Sequence, residues 1–400
     1  MRVVVTGIGA VSGFGWGVDA LWRGLETGES AIRESTVFDT RDQRTHVAAE
    51  VGLPDGDVGI DDLKNLSRAD IFAIAAAREA MRGADLDAIG VRTGVFVGGS
   101  TAGMAECEEF VGRLSGVRPG RPALHLLASQ QLNSPGDAVA RDIGAAGPVI
   151  GFSSACASGA MALGAAMEAV RSGEVDVAVA GGADSLCLLT YSGFNSLRSV
   201  DEAQCRPFRR DRQGLSLGEG AGMVVLEGLE RAEARGLKPL AELAGYGASC
   251  DAHHMTAPHP EGDGALAAMT AALADAGLNT QDVTAVNAHG TGTPHNDQAE
   301  ASALRRLFGR RLQEVPVTAP KGALGHILGA AGALETVATV VAINQGTVFP
   351  TAGPDDADPE LGIDLVVAES RPQPRDTQVW ISTNFAFGGA NAALVIRSLV

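Results

Sequence analysis

"VIGFSSACASGAMALGAAMEAV" (149–170) passes from a β-branched run into an Ala-rich stretch with helical spacing, and one cysteine, Cys156, sits at the junction. A strand that hands over directly to a helix is the repeating unit of an α/β protein. The same reading extends in both directions. Strands are expected over 2–7, 93–99, 148–154 and 175–182, then over 283–290, 315–320, 363–369 and 378–385. Helical spacing fills 68–82, 159–172, 264–276, 297–308 and 327–344. Near-continuous apolar strand runs imply sheets covered on both faces. The stretch 220–239 closes on Gly, Lys and Pro, after which the pattern restarts, so two halves are expected, 1–240 and 241–400. No polar linker separates them, so they should share one core.

Composition narrows the function classes. The chain has 400 residues, 45% hydrophobic, enough for a large core. A formal net charge of −17 makes nucleic acid and anionic membrane poor partners. The five cysteines (107, 156, 187, 205, 250) are odd in number and lack CxxC spacing, which suits a reduced, cytoplasmic chain. "MRVVVTGIGAV" resembles a first strand more than a signal peptide, and no segment has 18 uninterrupted apolar residues. "GIGAVSG" (7–13) misses the dinucleotide fingerprint at Ser12.

At the start of a helix, backbone N–H groups and the dipole favour a thiolate at Cys156. Taken alone, a packed core cysteine reads equally well. Other strand ends supply possible partners: His289 in "VNAHGTGTPHNDQAE" (286–300), Lys321 and His326 in "APKGALGHILGAAGALE" (319–335), and a glycine turn in "STNFAFGGANAALVI" (382–396). Strand C-terminal ends line the ligand crevice of such sheets. One histidine would be structural more often than not; two beside a helix-start cysteine point to a shared site. "DAHHMTAPHP" (251–260) holds His253, His254 and His259 without companion ligands at metal-binding spacing, so no metal is expected.

These residues match a family. The chain resembles the elongating β-ketoacyl-acyl-carrier-protein synthases of the thiolase-like superfamily, through "SSACASG", "PFRRDRQGLSLGEGAG" (207–222), "NAHGTGTP", "KGALGHILGAAGA" and "NFAFGGAN". The resemblance implies an α/β, five-layered αβαβα fold built from two duplicated halves. It implies decarboxylative Claisen condensation of malonyl-acyl-carrier protein with an acyl group on Cys156, with no cofactor beyond the carrier's own phosphopantetheine. His289 and His326 would steady the enolate, and Lys321, with Glu300 as its charged partner, would order the site. Backbone N–H groups of Cys156 and Phe387 would form the oxyanion hole. Phe387 and Gly388 would form the gate, Asn384 would support it, Thr291 and Thr293 would bind pantetheine, and Thr101 would lie at the acyl-pocket floor. Lys64, Arg68, Arg209 and Arg210 are candidates for carrier-protein docking.

Two departures from the family pattern stand out. Ala386 replaces the usual glycine before the gate, where a Cβ would resist positive φ, and Gly322 replaces the Ser or Thr after the lysine. A homodimer is implied, or a heterodimer with a chain-length-factor homologue if the chain is the ketosynthase subunit of a type II polyketide or polyene pathway. A non-catalytic scaffold is the remote alternative, opposed by the intact Cys156, His289 and His326.

Overall fold

The computed structural model describes residues 1–54, 59–60, 63, 66–86, 92–354 and 356–399. The first half contributes strands β1 (Val3–Ser12), β2 (Thr93–Gly98), β3 (Val149–Phe152), β4 (Val177–Asp184) and β5 (Gly220–Gly228), hydrogen-bonded in the order β3-β2-β4-β5-β1. The second contributes β6 (Ala241–Cys250), β7 (Ala285–Asn287), β8 (Pro316–Thr318), β9 (Val379–Phe385) and β10 (Ala390–Arg397), in the order β8-β7-β9-β10-β6. The two orders are the same when each half is numbered from its own first strand. In each, three strands run parallel and the fifth runs antiparallel to both neighbours. The sheets meet along β1 and β6, with Val4 opposite Glu242 and Val5 opposite Ala241.

The principal helices are α1 (Arg68–Gly83), α2 (Ser134–Ile143), α3 (Ser158–Arg171), α4 (Asp263–Ala276), α5 (Pro294–Phe308) and α6 (Ala331–Gln345). Helices α1 and α2 cover the outer face of the first sheet, α4 and α5 that of the second, and α3 with α6 fills the space between. This is the five-layered αβαβα arrangement. The middle layer packs Leu163 and Met167 from one half with Leu334, Val337 and Trp380 from the other. Helix α6 is buried on every side from Ala331 to Ile343, as a helix apolar all round must be.

One device occurs in both halves. A Cβ at Gly7 or Gly9 on β1 would fall 1.9 Å from the carbonyl oxygens of Ala80 and Ala76 on α1. On β6, a Cβ at Gly245 or Gly247 would fall 2.3 and 2.2 Å from those of Ala272 and Ala268 on α4. Each pair lets an Ala-rich helix lie directly on the first strand of its half. "GIGAV" is therefore a packing surface.

Of these ten strands, three escaped the sequence reading: β5, β6 and β10. The run expected over 363–369 contracts to the two-residue edge strand Asp364–Leu365, beside β8.

Candidate active site

Between β3 and α3 the chain turns sharply. Ala155 adopts a left-handed φ of 46°, uncommon for a residue with a Cβ. The Ser158 hydroxyl holds the turn, donating to the Ala155 carbonyl at 2.6 Å and accepting from the Ser154 N–H at 2.8 Å. Cys156 follows, 6% exposed. Burial pushes its thiol up to about 12, against the opposing pull of Lys321 and of the N–H groups of Phe387 and Cys156. The direction is opposite to the lowering expected from the helix start, because loss of hydration outweighs Lys321 and the two N–H groups.

Opposite, His289 follows β7, while His326 lies between the short helix Lys321–Leu324 and α6. Their rings stand nearly perpendicular, with centroids 5.3 Å apart. The Lys321 Nζ lies 3.2 Å from His289 Nδ1. An ammonium can only donate, so Nδ1 accepts and the neutral ring carries its proton on Nε2. Burial first, and then Lys321, holds both imidazoles well below the usual histidine range. His326 is fixed by its main chain, its N–H donating to Ser216 O at 2.7 Å and its carbonyl accepting from the Gly218 N–H at 3.0 Å. Its Nδ1 is buried without a hydrogen-bond partner.

The partner expected for Lys321 is corrected. Lys321 forms a buried ion pair with Glu335 on α6 rather than with Glu300, and Asn384 Nδ2 donates to the other Glu335 oxygen at 2.7 Å. Glu300 instead accepts the main-chain N–H groups of His289 and Gly290, each at 2.8 Å, and burial raises its pKa to about 7. Glu335 was missed because it lies in an otherwise apolar helical run. Its one sequence signal was being a charge where none should be solvated.

A cavity of about 100 Å³ brings Cys156, His289 and His326 together, with Phe194, Phe385 and Phe387 among its walls. Thr291 and Thr293 also line it, their hydroxyls 2.9 Å apart. The Phe387 ring packs on Phe194, centroids 5.6 Å apart, and the Gly388 N–H donates to Met255 O at 2.8 Å. Positive φ falls on Gly388 (84°) and Gly389 (80°), whereas Ala386 sits at an extended −122°. The strain expected at Ala386 is absent in this conformation. Gly322 has a packing reason, since a Cβ there would meet the Ala352 carbonyl oxygen at 2.6 Å.

Other assignments fare worse. Thr101 is buried, donates its hydroxyl to Asp184 at 2.9 Å, and is not among the cavity-lining residues. Arg209 is fully buried with Nη2 on Thr351 O at 3.0 Å, so it cannot meet a carrier protein. Arg68 is spent on buried Glu219, 2.5 Å away. Lys64 lies outside the described residues. Arg210 is exposed, as is Arg198, which adjoins the cavity-lining Ser199. The His253 and His259 rings pack edge to face at 5.2 Å. Among the described residues no group of three potential ligands is placed to hold a metal, and no helix is long and apolar enough to cross a membrane.

Comparison with known proteins covers the whole chain. Residues 1–232 match the family described as beta-ketoacyl synthase, N-terminal domain, and 240–354 match its C-terminal domain. Nodulation protein E of Rhizobium sp. (strain N33) is 39% identical over 405 residues, spanning 100% of this chain and 99% of that one. The 3-oxoacyl-[acyl-carrier-protein] synthase 2 of Staphylococcus aureus (strain MRSA252) is 36% identical, spanning 99% and 98%. The solved structure of the ishigamide ketosynthase/chain length factor superposes with a TM-score of 0.93 at 34% identity, covering 100% of this chain and 99% of that one.

Proposed function

The chain belongs to the beta-ketoacyl synthase family, and we propose a division of labour among its residues for the chain-elongating condensation that this membership assigns to it. The single observation that carries the assignment is one cavity lined by Cys156 from the first half and by His289 and His326 from the second. The halves divide near residue 240.

An acyl group arrives as a carrier-protein thioester. Cys156 attacks its carbonyl, the carrier's thiol leaves, and the Cys156 proton passes to it by way of the His326 ring. The oxyanion formed at that carbonyl meets the N–H groups of Cys156 and Phe387, a kind of contact worth about 3–4 kcal/mol. Malonyl carrier then enters along Thr291 and Thr293. Its C–C bond to the carboxylate breaks, carbon dioxide leaves, and the electron pair is held as an enolate by Nε2–H of His289 together with His326. The enolate carbon attacks the acyl-Cys156 carbonyl, and collapse expels the Cys156 thiolate and yields a β-ketoacyl carrier two carbons longer. Lys321 and Glu335 act through His289, fixing its tautomer. Asn384 holds Glu335, and the turn at Phe387 and Gly388 admits the chain.

The acyl chain is a fatty acyl or polyketide chain. The carrier protein approaches the mouth beside Arg198 and Arg210. Five unpaired cysteines suit a reducing cytoplasm. Intact-mass analysis after mixing with acyl-carrier protein tests the scheme. Wild type should gain the acyl mass on Cys156 and Cys156→Ala should gain nothing. A label on Cys107, Cys187, Cys205 or Cys250 refutes it.

A further inference from the structure

We propose that Thr383, on β9, is a positioning residue that acts with Glu300 to fix the His289–Gly290 peptide and thereby aim the His289 imidazole. The inference rests on the reading above that His289 serves the malonyl half-reaction.

Three elements converge on that peptide: β7, which ends at Asn287, α5, which carries Glu300, and β9. Glu300 Oε1 accepts the His289 N–H at 2.8 Å, and Oε2 accepts the Gly290 N–H at 2.8 Å. The Thr383 hydroxyl donates to Glu300 Oε1 at 2.8 Å and accepts from the His289 N–H at 2.9 Å. One main-chain donor is thus shared between a carboxylate and a hydroxyl that are themselves bonded. Carboxylate, hydroxyl and peptide close a small ring in which every member is buried.

The ring matters because the turn does not fix its own peptide. Gly290 takes a φ of +36°, and a Cβ there would lie 2.6 Å from that of Ala319. Glycine takes this φ freely, so local preference leaves the peptide unfixed, and the Glu300 carboxyl, accepting from both N–H groups, fixes it. On the ring side, Lys321 at Nδ1 fixes the tautomer while Phe385 packs at 5.6 Å, so the direction of the imidazole depends on its main chain. Thr383 is not among the cavity-lining residues. It differs from a packing residue in that its hydroxyl, and not its shape, makes both contacts.

The test measures two half-reactions on the purified chain: acyl transfer to Cys156 by intact mass, and release of carbon dioxide from malonyl-acyl-carrier protein. Thr383→Val keeps the shape and removes the hydroxyl. It should lower kcat for carbon dioxide release by about 10- to 100-fold, the scale of a slightly misplaced group, with KM and acyl transfer unchanged within about twofold. Thr383→Ser should restore the rate. Glu300→Gln, which keeps one acceptor oxygen, should show the same split if the valine variant does not fold. Carbon dioxide release at the wild-type rate in Thr383→Val overturns the proposal, as does an equal fall in both half-reactions without rescue by serine. Failure of the wild type to acylate Cys156 would instead reject the underlying reading.

Discussion

Opposing effects meet at the Cys156 sulfur. The start of α3, the Lys321 ammonium and two main-chain N–H groups favour the anion, whereas removal from water favours the thiol, and burial wins with a value of about 12. Below its pKa, the thiolate fraction rises tenfold per pH unit. Alkylation of Cys156 by iodoacetamide should therefore quicken about 100-fold from pH 7 to pH 9, with no plateau. A plateau below pH 8 would mean that the dipole and lysine prevail. The same competition explains what was legible at this scale. Cys156 and His289 stand just past strand ends and His326 between two helices, and all three line the cavity. The Lys321–Glu335 pair joins residues 14 positions apart across a turn and into an apolar helix, where the resemblance had pointed to Glu300 instead. The hydroxyl of Thr101 answers to Asp184, a partner 83 residues away that no local pattern announces.

Among the elements, strand-and-helix alternation was readable wherever the strand is parallel and apolar. It failed at β5, β6 and β10, whose sequences "GAGMVVLEG", "AELAGYGASC" and "ANAALVIR" are diluted by the small residues that close helix contact demands. That demand is testable on β1. Gly9→Val would place a Cβ 1.9 Å from the Ala76 carbonyl oxygen, and main chain on both sides leaves nothing flexible to yield. The cost should reach about 3 kcal/mol, the upper end for overpacking, read as a Tm lowered by several degrees or as insoluble protein. Gly52→Ala, with no atom within 4 Å of its Cβ, should hold Tm or raise it slightly. Equal behaviour of the two variants would remove the packing explanation for "GIGAV", and with it the parallel drawn to Gly245 and Gly247.

For the whole molecule, the order of the first sheet leaves β3 at its edge, and that edge is bare. Val149 and Ile150 are 38% and 41% exposed, although "VIGF" is an apolar strand. Helix Met104–Leu114 buries none of its residues, and Leu114, Val117 and Leu124 stand 65%, 82% and 78% exposed nearby in sequence. An open apolar edge invites a second strand. The homodimer implied by the family resemblance predicts that a second copy of this chain covers it, since a two-fold axis through β3 would let the strand pair antiparallel with itself and give both subunits the same cover. The chain should then sediment as a dimer at micromolar concentration, and Ile150→Asp should shift it to monomer by placing two carboxylates across the axis. A wild-type chain that sediments as a monomer alone, yet forms a one-to-one complex with a chain-length-factor homologue, would reject self-pairing in favour of the heterodimer. The folded state of the Ile150→Asp monomer, checked by an unchanged far-ultraviolet circular dichroism spectrum, separates lost pairing from lost structure. At the β3 edge, Val149 and Ile150 lie outside the middle layer that the two halves share, so removing a contact there should leave both sheets intact.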